Sequence, residues 1–249
     1  MATVSRISAQ PAARLPGRSF DHLFFTGMIV LMLATVFLGF ARTYFLAGVF
    51  HAPLPSSIIQ IHGAMFSCWM LLVFTQTTLV SAHRVDLHRK LGLAGFGLAC
   101  LMIGMGVLAT ADELRRKGSI APPPDMKAFA IVPLTSILMF AVFIALAYSA
   151  RKNSAMHKRL VLLAMIDMMV AGIARWPFAF VYRNVQNAQL ISCIFIVVLV
   201  LYDLWSTHKL HRATMWGGLI IILVQQSRGM IGATGVWHAF AGWMQSWGV

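Results

Sequence analysis

Two histidines, each at the start of an apolar segment, are the residues best suited to ligand chemistry. His88 lies in DLHRKLG and His157 in MHKRLVLLA, and two basic residues directly follow each of them. Two histidines on different helices at equal depth can bind a haem iron from opposite sides, or share another metal with further donors. The simpler alternative is that both are helix-start residues in basic turns at a lipid interface. The pattern leaves haem, another metal and this structural role open.

Small residues follow His88 on the same helical face, namely Gly92, Gly95, Ala99 and Gly106. Such a face lets a partner helix approach closely, which is the reading that we favour. It could also make room for a flat cofactor beneath His88.

Three polar side chains share one face of the apolar segment 57–81 when it is drawn as a helix: His62, Trp69 and Gln76. Such a face is not lipid-facing, so we expect the other helices to pack around the stretch 57–95, with Trp69 and Gln76 as candidate cofactor contacts. His62 should lie on the order of 25 Å from the inner membrane boundary. His62 therefore cannot share a metal with His88 and His157, and a metal bound to His62 would need a second ligand on the outer side. A structural histidine is the alternative.

Arg175 and Arg228 are basic residues that the sequence places at membrane depth, toward the outer side. Ionisable groups at that depth are costly, so each is a candidate functional residue. A guanidinium group can neutralise a haem propionate or a lipid phosphate, or donate to a quinone oxygen. We expect both arginines to line a polar outer cavity with His62. Asp167 is offset from Arg175 by about 80° around a helix, so we expect each to find its partner on another helix.

The segment 158–182 is predicted to be one span with a kink. His157 and Arg175 are eighteen residues apart, which is five helical turns and predicts that they share a face. Pro177 has no backbone N–H, so it should leave the carbonyl of Ile173 free and bend the helix near Arg175.

The composition is that of a polytopic membrane protein. Of the 249 residues, 59% are hydrophobic and 11% are charged, whereas a soluble domain has about 25% charged residues. The formal net charge is +13, but the cations lie mostly between apolar runs, which indicates topology and contact with anionic lipids. No basic stretch stands clear of these runs, which argues against nucleic-acid binding. The three cysteines lie within apolar runs and lack metal-site spacing.

The sequence therefore predicts an all-α fold, a polytopic integral membrane helical bundle of about seven transmembrane helices. The predicted spans are 22–49, 57–81, 91–110, 128–150, 158–182, 187–207 and 213–232. Residues 1–20 are predicted to be a basic cytoplasmic tail, 21–233 the transmembrane domain and 234–249 an aromatic interfacial C-terminal tail. An organellar transit peptide would have a composition similar to that of the N-terminal tail.

Basic residues set the predicted orientation. With the N-terminus inside, twelve lysines and arginines fall in inner segments and five in outer connections. The excess predicts that the N-terminus lies inside and the C-terminus outside. We expect the membrane to be a bacterial inner membrane, so the N-terminus would be cytoplasmic and the C-terminus periplasmic. The long connection between the third and fourth spans carries Pro122, Pro123 and Pro124, which predict an extended, stiff segment.

The motifs HGAMFSCWMLLVFTQ, DLHRKLG and MHKRLVLLA together resemble a bacterial group of uncharacterised multi-helix membrane proteins. That group has a helix-borne histidine with a downstream Trp and Gln, an LHR-LG turn and an HKRLM-like helix start, and the likeness covers about residues 20–235. The group implies no activity. More distantly, the chain resembles b-type di-haem cytochromes and the membrane proteins that assist haem-copper oxidase assembly. The segment 127–150 has no histidine, so the chain departs from the di-haem pattern. Two stacked bis-histidine haems are therefore not expected, and one inner haem is left open.

Three functions remain open from the sequence. The first is a redox protein in which His88 and His157 bind haem b and exchange electrons with a quinone or a partner membrane protein. The second is a non-catalytic subunit or assembly factor of a larger electron-transfer or pigment complex. The third is a non-haem metal enzyme, which is weakened because only Asp167 and Asp203 supply carboxylates at membrane depth. Kinase, hydrolase and Rossmann motifs are absent.

Overall fold

The computed structural model describes residues 17–116 and 125–247. Within these ranges the protein is all-helical and has no strand, which confirms the predicted class. Most of the predicted N-terminal tail and the Pro122–Pro124 segment lie outside the described residues. The helices are α1 (Gly17–Phe40), α2 (Ser57–Ser81), α3 (Val85–Arg115), α4 (Met126–Phe129), α5 (Ile131–Ser149), α6 (Ser154–Ile173), α7 (Val185–Thr207), α8 (Arg212–Gly232) and α9 (Gly235–Gln245), and a π-helical turn, Ala41–Phe45, continues α1.

Polar side chains just before the helices explain where several of them begin. Ser56 accepts a hydrogen bond from the backbone N–H of Ile59, and Asn153 accepts one from Met156. Thr234 caps α9 in the same way. These side chains satisfy backbone donors that have no partner inside the first turn of a helix, so each fixes a boundary between a connection and a helix.

Five segments in the described ranges are long and apolar enough to cross a membrane: Phe20–Phe45, Ser57–Ser81, Val85–Arg115, Met126–Ser149 and Val185–Thr207. α8 and α9 add a sixth if they form one span bent by 86°. The membrane-protein prediction is confirmed at this level, and the count of seven stays a prediction. The remaining long helix, α6, is less apolar because it carries Lys158, Arg159 and Asp167.

α6 is the centre of the bundle. Twelve of its 20 residues are buried, and it packs against α1, α5, α7 and α8. By contrast, α2 buries only Trp69, Met70 and Val73. The expectation that the helices pack around the stretch 57–95 is therefore wrong. A helix that is surrounded by protein can carry charged residues because its neighbours supply their partners, so the central helix does not have to be the most apolar one.

The long helices alternate in direction, so their ends form two layers. We call the layer where α1, α3, α6 and α8 begin the basic end, and the opposite layer the far end. At the basic end Asp21 of α1 contacts Lys158 of α6, and Asp203 near the end of α7 contacts Arg159 of α6. These contacts show that the starts of α1 and α6 and the end of α7 lie in one layer.

α9 closes the far end. The indole N–H of Trp237 donates to the carbonyl of Lys127 at 2.7 Å, and the amide of Gln245 donates to the carbonyl of Leu114 at 3.0 Å. One side of α9 buries Met244, whereas Trp243 on another side is exposed. The aromatic tail is thus a helix that packs across the ends of α3 and α4, and its position at a membrane interface stays a prediction.

The predicted kinked span 158–182 is wrong in its second half. α6 ends at Ile173, four residues before Pro177, and the carbonyl of Ile173 accepts a hydrogen bond from the N–H of Trp176 at 3.0 Å. A proline disfavours helical geometry in the residue that precedes it, so the chain turns before it reaches Pro177. Arg175 therefore lies beyond the end of α6, and it does not share a helical face with His157.

Candidate functional site

His88 and His157 are neighbours at the basic end. His88 lies in the first turn of α3 and His157 in the first turn of α6, and both are partly buried. Their ring centroids are 6.4 Å apart and their planes are inclined at 87°. Two imidazoles on opposite sides of one metal, at metal–nitrogen distances of about 2.0 Å, hold their centroids about 6 Å apart. The distance between the two ring centroids is close to that value.

The ring of His157 is oriented by the backbone of α5. Its Nδ1 lies 2.8 Å from the carbonyl oxygen of Ala147, and a carbonyl can only accept, so Nδ1 carries the proton. In a neutral ring with its proton on Nδ1, the lone pair is on Nε2. Metal-binding histidines commonly donate their second ring nitrogen to a backbone carbonyl in this way, which fixes both the tautomer and the ring orientation.

The surroundings of His88 contain unused hydrogen-bonding atoms. The amide nitrogen of Gln76 donates to the carbonyl of His88 at 3.2 Å, which ties the start of α3 to α2. The buried Oε1 of Gln76 and the buried Nδ1 of His88 have no partner among the described residues. Buried polar groups nearly always have partners in proteins, so the contact between α2 and the start of α3 is incompletely hydrogen-bonded at these two atoms.

Three consecutive residues at the start of α6 reach three different neighbours. His157 faces α3 and α5, Lys158 pairs with Asp21 of α1, and Arg159 pairs with Asp203 of α7. Successive residues on a helix point about 100° apart, so three polar residues in a row fan out around it. The motif therefore anchors the central helix at its basic end and at the same time presents a histidine to α3.

The Arg159–Asp203 pair is fully enclosed by protein. Nε of Arg159 donates to Oδ1 of Asp203 at 2.9 Å, and the second carboxylate oxygen accepts from the hydroxyl of Thr214 at 2.6 Å and from the backbone N–H of His211 at 3.2 Å. Both oxygens of this carboxylate thus have partners. The cluster holds α6, α7 and the start of α8 together, which indicates a structural role.

A second buried ion pair lies toward the far end of the bundle. Nη2 of Arg228 donates to Oδ2 of Asp167 at 2.8 Å, and the amide of Gln225 donates to Oδ1 at 2.8 Å. Arg228 also donates from Nε to Thr135 at 2.7 Å and from Nη2 to Ser136 at 3.0 Å. Asp167 does find its partner on another helix. Arg228 is therefore part of a network between α5, α6 and α8.

The polar face of α2 contacts its neighbours at separate points. His62 lies against α3, with Cε1 3.7 Å from the position that a Cβ on Gly106 would take. Trp69 is buried against Phe140 of α5, at a centroid distance of 5.2 Å. Nδ1 of His62 and Nε1 of Trp69 are buried without a partner among the described residues. This face looks into protein, and its polar atoms are not bonded to each other.

Arg175 is separated from the other candidate residues. It is exposed, its Nη1 donates to the carbonyl of Ala171 at 2.7 Å, and its guanidinium lies 4.7 Å from the ring centroid of Phe40. His62 packs against α3 and Arg228 is bound between α5 and α6. The structure does not bring the three residues into the outer cavity that the sequence led us to expect, because each of them contacts a different set of helices.

The small-residue face of α3 is filled by partner helices. A Cβ on Gly95 would lie 2.7 Å from Leu72 of α2, and a Cβ on Gly106 would lie 2.9 Å from Ile137 of α5. These glycines permit close helix packing, and the face below His88 is not a slot for a flat cofactor. A cofactor bound by His88 would therefore lie at the basic end.

The sequence did not identify Asp21 and Arg159 as members of buried or partly buried ion pairs. One signal was available, since Asp21 is the only acidic residue before Asp86 and stands at the start of an apolar segment. An acid in that position requires a cation nearby. Nothing in the sequence indicates which of the many cations is its partner.

Among residues 17–116 and 125–247, no group of three or more His, Cys, Asp or Glu residues lies close enough to hold a metal ion. Comparisons with protein-family models, with curated proteins and with solved structures found no match.

Proposed function

We propose that this protein is an integral membrane redox protein in which His88 and His157 bind one b-type haem. The observation that carries the proposal is the 6.4 Å separation of the two ring centroids. The hydrogen bond from His157 to Ala147 supports it, because it leaves Nε2 of His157 available as a ligand. A haem bound there would supply reversible one-electron chemistry.

The residues of the chain have distinct roles in this proposal. The Ala147 carbonyl orients His157, and Gln76 positions the start of α3 and with it His88. Exposed cations lie near both histidines along the chain: Arg89 and Lys90 directly follow His88, and Lys152 lies five residues before His157. Their positive charge suits the carboxylates of a haem, which would lie at the edge of the bundle.

The proposed setting is a bacterial inner membrane with the basic end toward the cytoplasm. The excess of lysine and arginine at this end supports the orientation through the positive-inside rule, and anionic lipids would be its neighbours. Seven spans fit this setting if α6 is counted with the apolar helices. The electron partner would be a quinone or another membrane protein.

An absorption spectrum of detergent-purified protein, oxidised and then reduced with dithionite, tests the haem proposal. The expected result is a Soret band with sharpened visible bands after reduction, and both features should be lost in His88→Ala and in His157→Ala. His83→Asn is the matched control, because His83 is exposed in a left-handed turn, five residues before His88.

A spectrum of protein absorption alone, from cells supplied with haem precursors, would overturn the proposal. Loss of the bands in His83→Asn as well would also contradict it, since the loss would then reflect general damage to the fold. Metal analysis of the same samples would then be the next measurement.

One observation favours a second candidate, a non-catalytic subunit or assembly factor. Two buried ion pairs, Arg159–Asp203 and Arg228–Asp167, join helices of the bundle, so these charges have a structural explanation. In this reading the protein would purify with a larger complex and without a cofactor of its own. The spectrum separates the two candidates.

A further inference from the structure

One side of α8 is not covered by the rest of the described bundle. α8 packs against α5, α6 and α7, and its buried residues include Gly218 and Ile221. The opposite side carries five exposed residues that follow one another at alternating steps of three and four: Trp216, Leu219, Leu223, Gln226 and Met230. We call these five residues the α8 seam.

The spacing and direction of the α8 seam suit contact with a second helix. Residues at alternating steps of three and four form the contact line when two helices pack at a small crossing angle. Successive helical residues point about 100° apart, which places the seam about 180° around α8 from the average direction of its buried residues. From Trp216 to Met230 the seam is about 21 Å long. It therefore faces directly away from the bundle, so a helix of another molecule can lie along it.

Gln226 is the polar residue of the α8 seam, and its side chain has no hydrogen-bond partner in the described ranges. The amide of its neighbour Gln225, by contrast, donates to Asp167 and to Ser192. Gln226 lies 14 residues after the start of α8 and six before its end. Where the predicted span 213–232 crosses a bilayer, lipid chains offer this amide neither an acceptor nor a donor. A polar group in that position favours a protein partner.

A second copy of the chain supplies a partner that matches this amide. Copies of one chain enter a membrane in the same orientation, so a two-fold axis along the membrane normal makes their α8 helices parallel. In a parallel helix pair each seam residue faces its own counterpart. Nε2 of each Gln226 can then donate to Oε1 of the other, because an amide offers both a donor and an acceptor. No residue of the seam is charged, so no like charges oppose the approach.

We propose that two copies of this chain form a parallel dimer along the α8 seam, joined by reciprocal hydrogen bonds between the two Gln226 side chains. The leucines and the methionine of the seam pack on either side of this polar pair. The proposal goes beyond the haem at His88 and His157 and does not depend on it, because the seam and the haem site share no residue.

Disulfide cross-linking in native membranes tests the geometry of the dimer. The variant Leu223→Cys is made in a full chain in which Cys68, Cys100 and Cys193 are replaced by alanine, and the membranes are oxidised with copper phenanthroline. Leu223 should face its counterpart closely enough for a disulfide, so we expect a covalent dimer. Leu138→Cys is the matched control, since Leu138 on α5 is 60% exposed and Leu223 is 59% exposed. It lies outside the seam and should give no dimer.

The dissociation constant of the dimer in dodecyl maltoside, measured by sedimentation equilibrium, tests the role of Gln226. Gln226→Leu keeps a side chain of similar size but removes both hydrogen bonds, so we expect the dissociation constant to rise about 3- to 30-fold. Gln186→Leu is the matched control, because it makes the same chemical change at an exposed glutamine of α7 outside the seam. The dissociation constant of Gln186→Leu should equal that of the wild type.

The absence of a covalent dimer in Leu223→Cys, which would mean that lipid or a different protein covers the seam, would overturn the proposal. Equal cross-linking in Leu138→Cys would overturn it too, and so would an unchanged dissociation constant in Gln226→Leu. If the detergent separates the copies, the effect of Gln226→Leu is measured as the cross-linking yield of Leu223→Cys in membranes, which should fall. These results are independent of the haem spectrum.

Discussion

Nδ1 of His157 lies 2.8 Å from the carbonyl oxygen of Ala147, so the backbone near the end of α5 sets the orientation of a ring in the first turn of α6. A ring that is held in this way loses little further freedom when it binds a ligand. Preorganisation of this kind is expected of a binding residue, and a residue at a lipid interface does not need it.

Imidazole should restore a haem site that has lost either histidine. His157→Gly and His88→Gly remove a ligand and leave space for a free imidazole molecule. We expect each variant to lose the reduced visible bands and to regain them when millimolar imidazole is added. Persistent loss of the bands in both variants, with the helical content unchanged, would contradict axial ligation by these rings.

Loss of the Asp203 charge should destabilise the protein strongly. Asp203→Asn leaves Arg159 buried without a counter-charge, and breaking such a pair costs about 3–5 kcal/mol. The measurement is the free energy of unfolding in detergent. Adding Arg159→Met to Asp203→Asn removes the unpaired charge, so the double variant should be more stable than the single one.

The exposed pair Arg84–Asp86 provides the control for this prediction. Both side chains are more than half exposed, and the atoms Nε and Oδ1 are 3.4 Å apart. Asp86→Asn should change the free energy of unfolding by less than about 1 kcal/mol. If Asp86→Asn and Asp203→Asn lowered the free energy of unfolding equally, burial of the Arg159–Asp203 pair would have no energetic consequence.

Gly39 should not tolerate alanine. An added Cβ there would collide with the backbone of Gly172, where α1 crosses α6. Elsewhere in a helix, replacing glycine by alanine stabilises by about 0.5–1 kcal/mol. We expect Gly39→Ala to lower the unfolding temperature because the two backbones must separate. Gly27→Ala, on the same helix with open space around it, should leave that temperature unchanged or raise it.

The connection before α8 should make stability dependent on pH. His211 caps α8, since its Nδ1 accepts from the N–H of Ala213 at 3.1 Å. Burial lowers the pKa of His211 below its ordinary value of 6.5, Arg159 and Lys158 lower the pKa further, and Asp203 opposes them. The unfolded chain therefore binds the proton more readily, so stability is full above about pH 6.5 and falls as the pH drops toward the folded pKa.

His211→Asn separates this effect from that of other titrating groups. Asparagine also caps a helix, but it does not titrate in this range. The difference in unfolding temperature between the wild type and His211→Asn should change between pH 7.5 and about pH 5, because the wild type loses more stability in acid. A constant difference over this range would show that His211 does not contribute.

The sequence alone determined the class of the protein and most of the helix positions. A bilayer requires about 20 apolar residues for each helix that crosses it, and that requirement is visible in composition. The segment predicted at 57–81 coincides with α2, and the predicted span 187–207 begins two residues after α7 does. The sequence also indicated that charged residues inside these segments need partners, because an unpaired charge in lipid is costly.

Only the tertiary structure decided which helix is central and which charges meet. α6 carries apolar residues all around, so no periodic pattern shows that four other helices surround it. Asp21 and Lys158 are 137 residues apart, and Asp167 and Arg228 are 61 apart. The choice among many possible cations depends on how the helices pack in three dimensions. The same packing brings His88 and His157 together and separates Arg175 from both, because helix ends and crossings, rather than local sequence, set those distances.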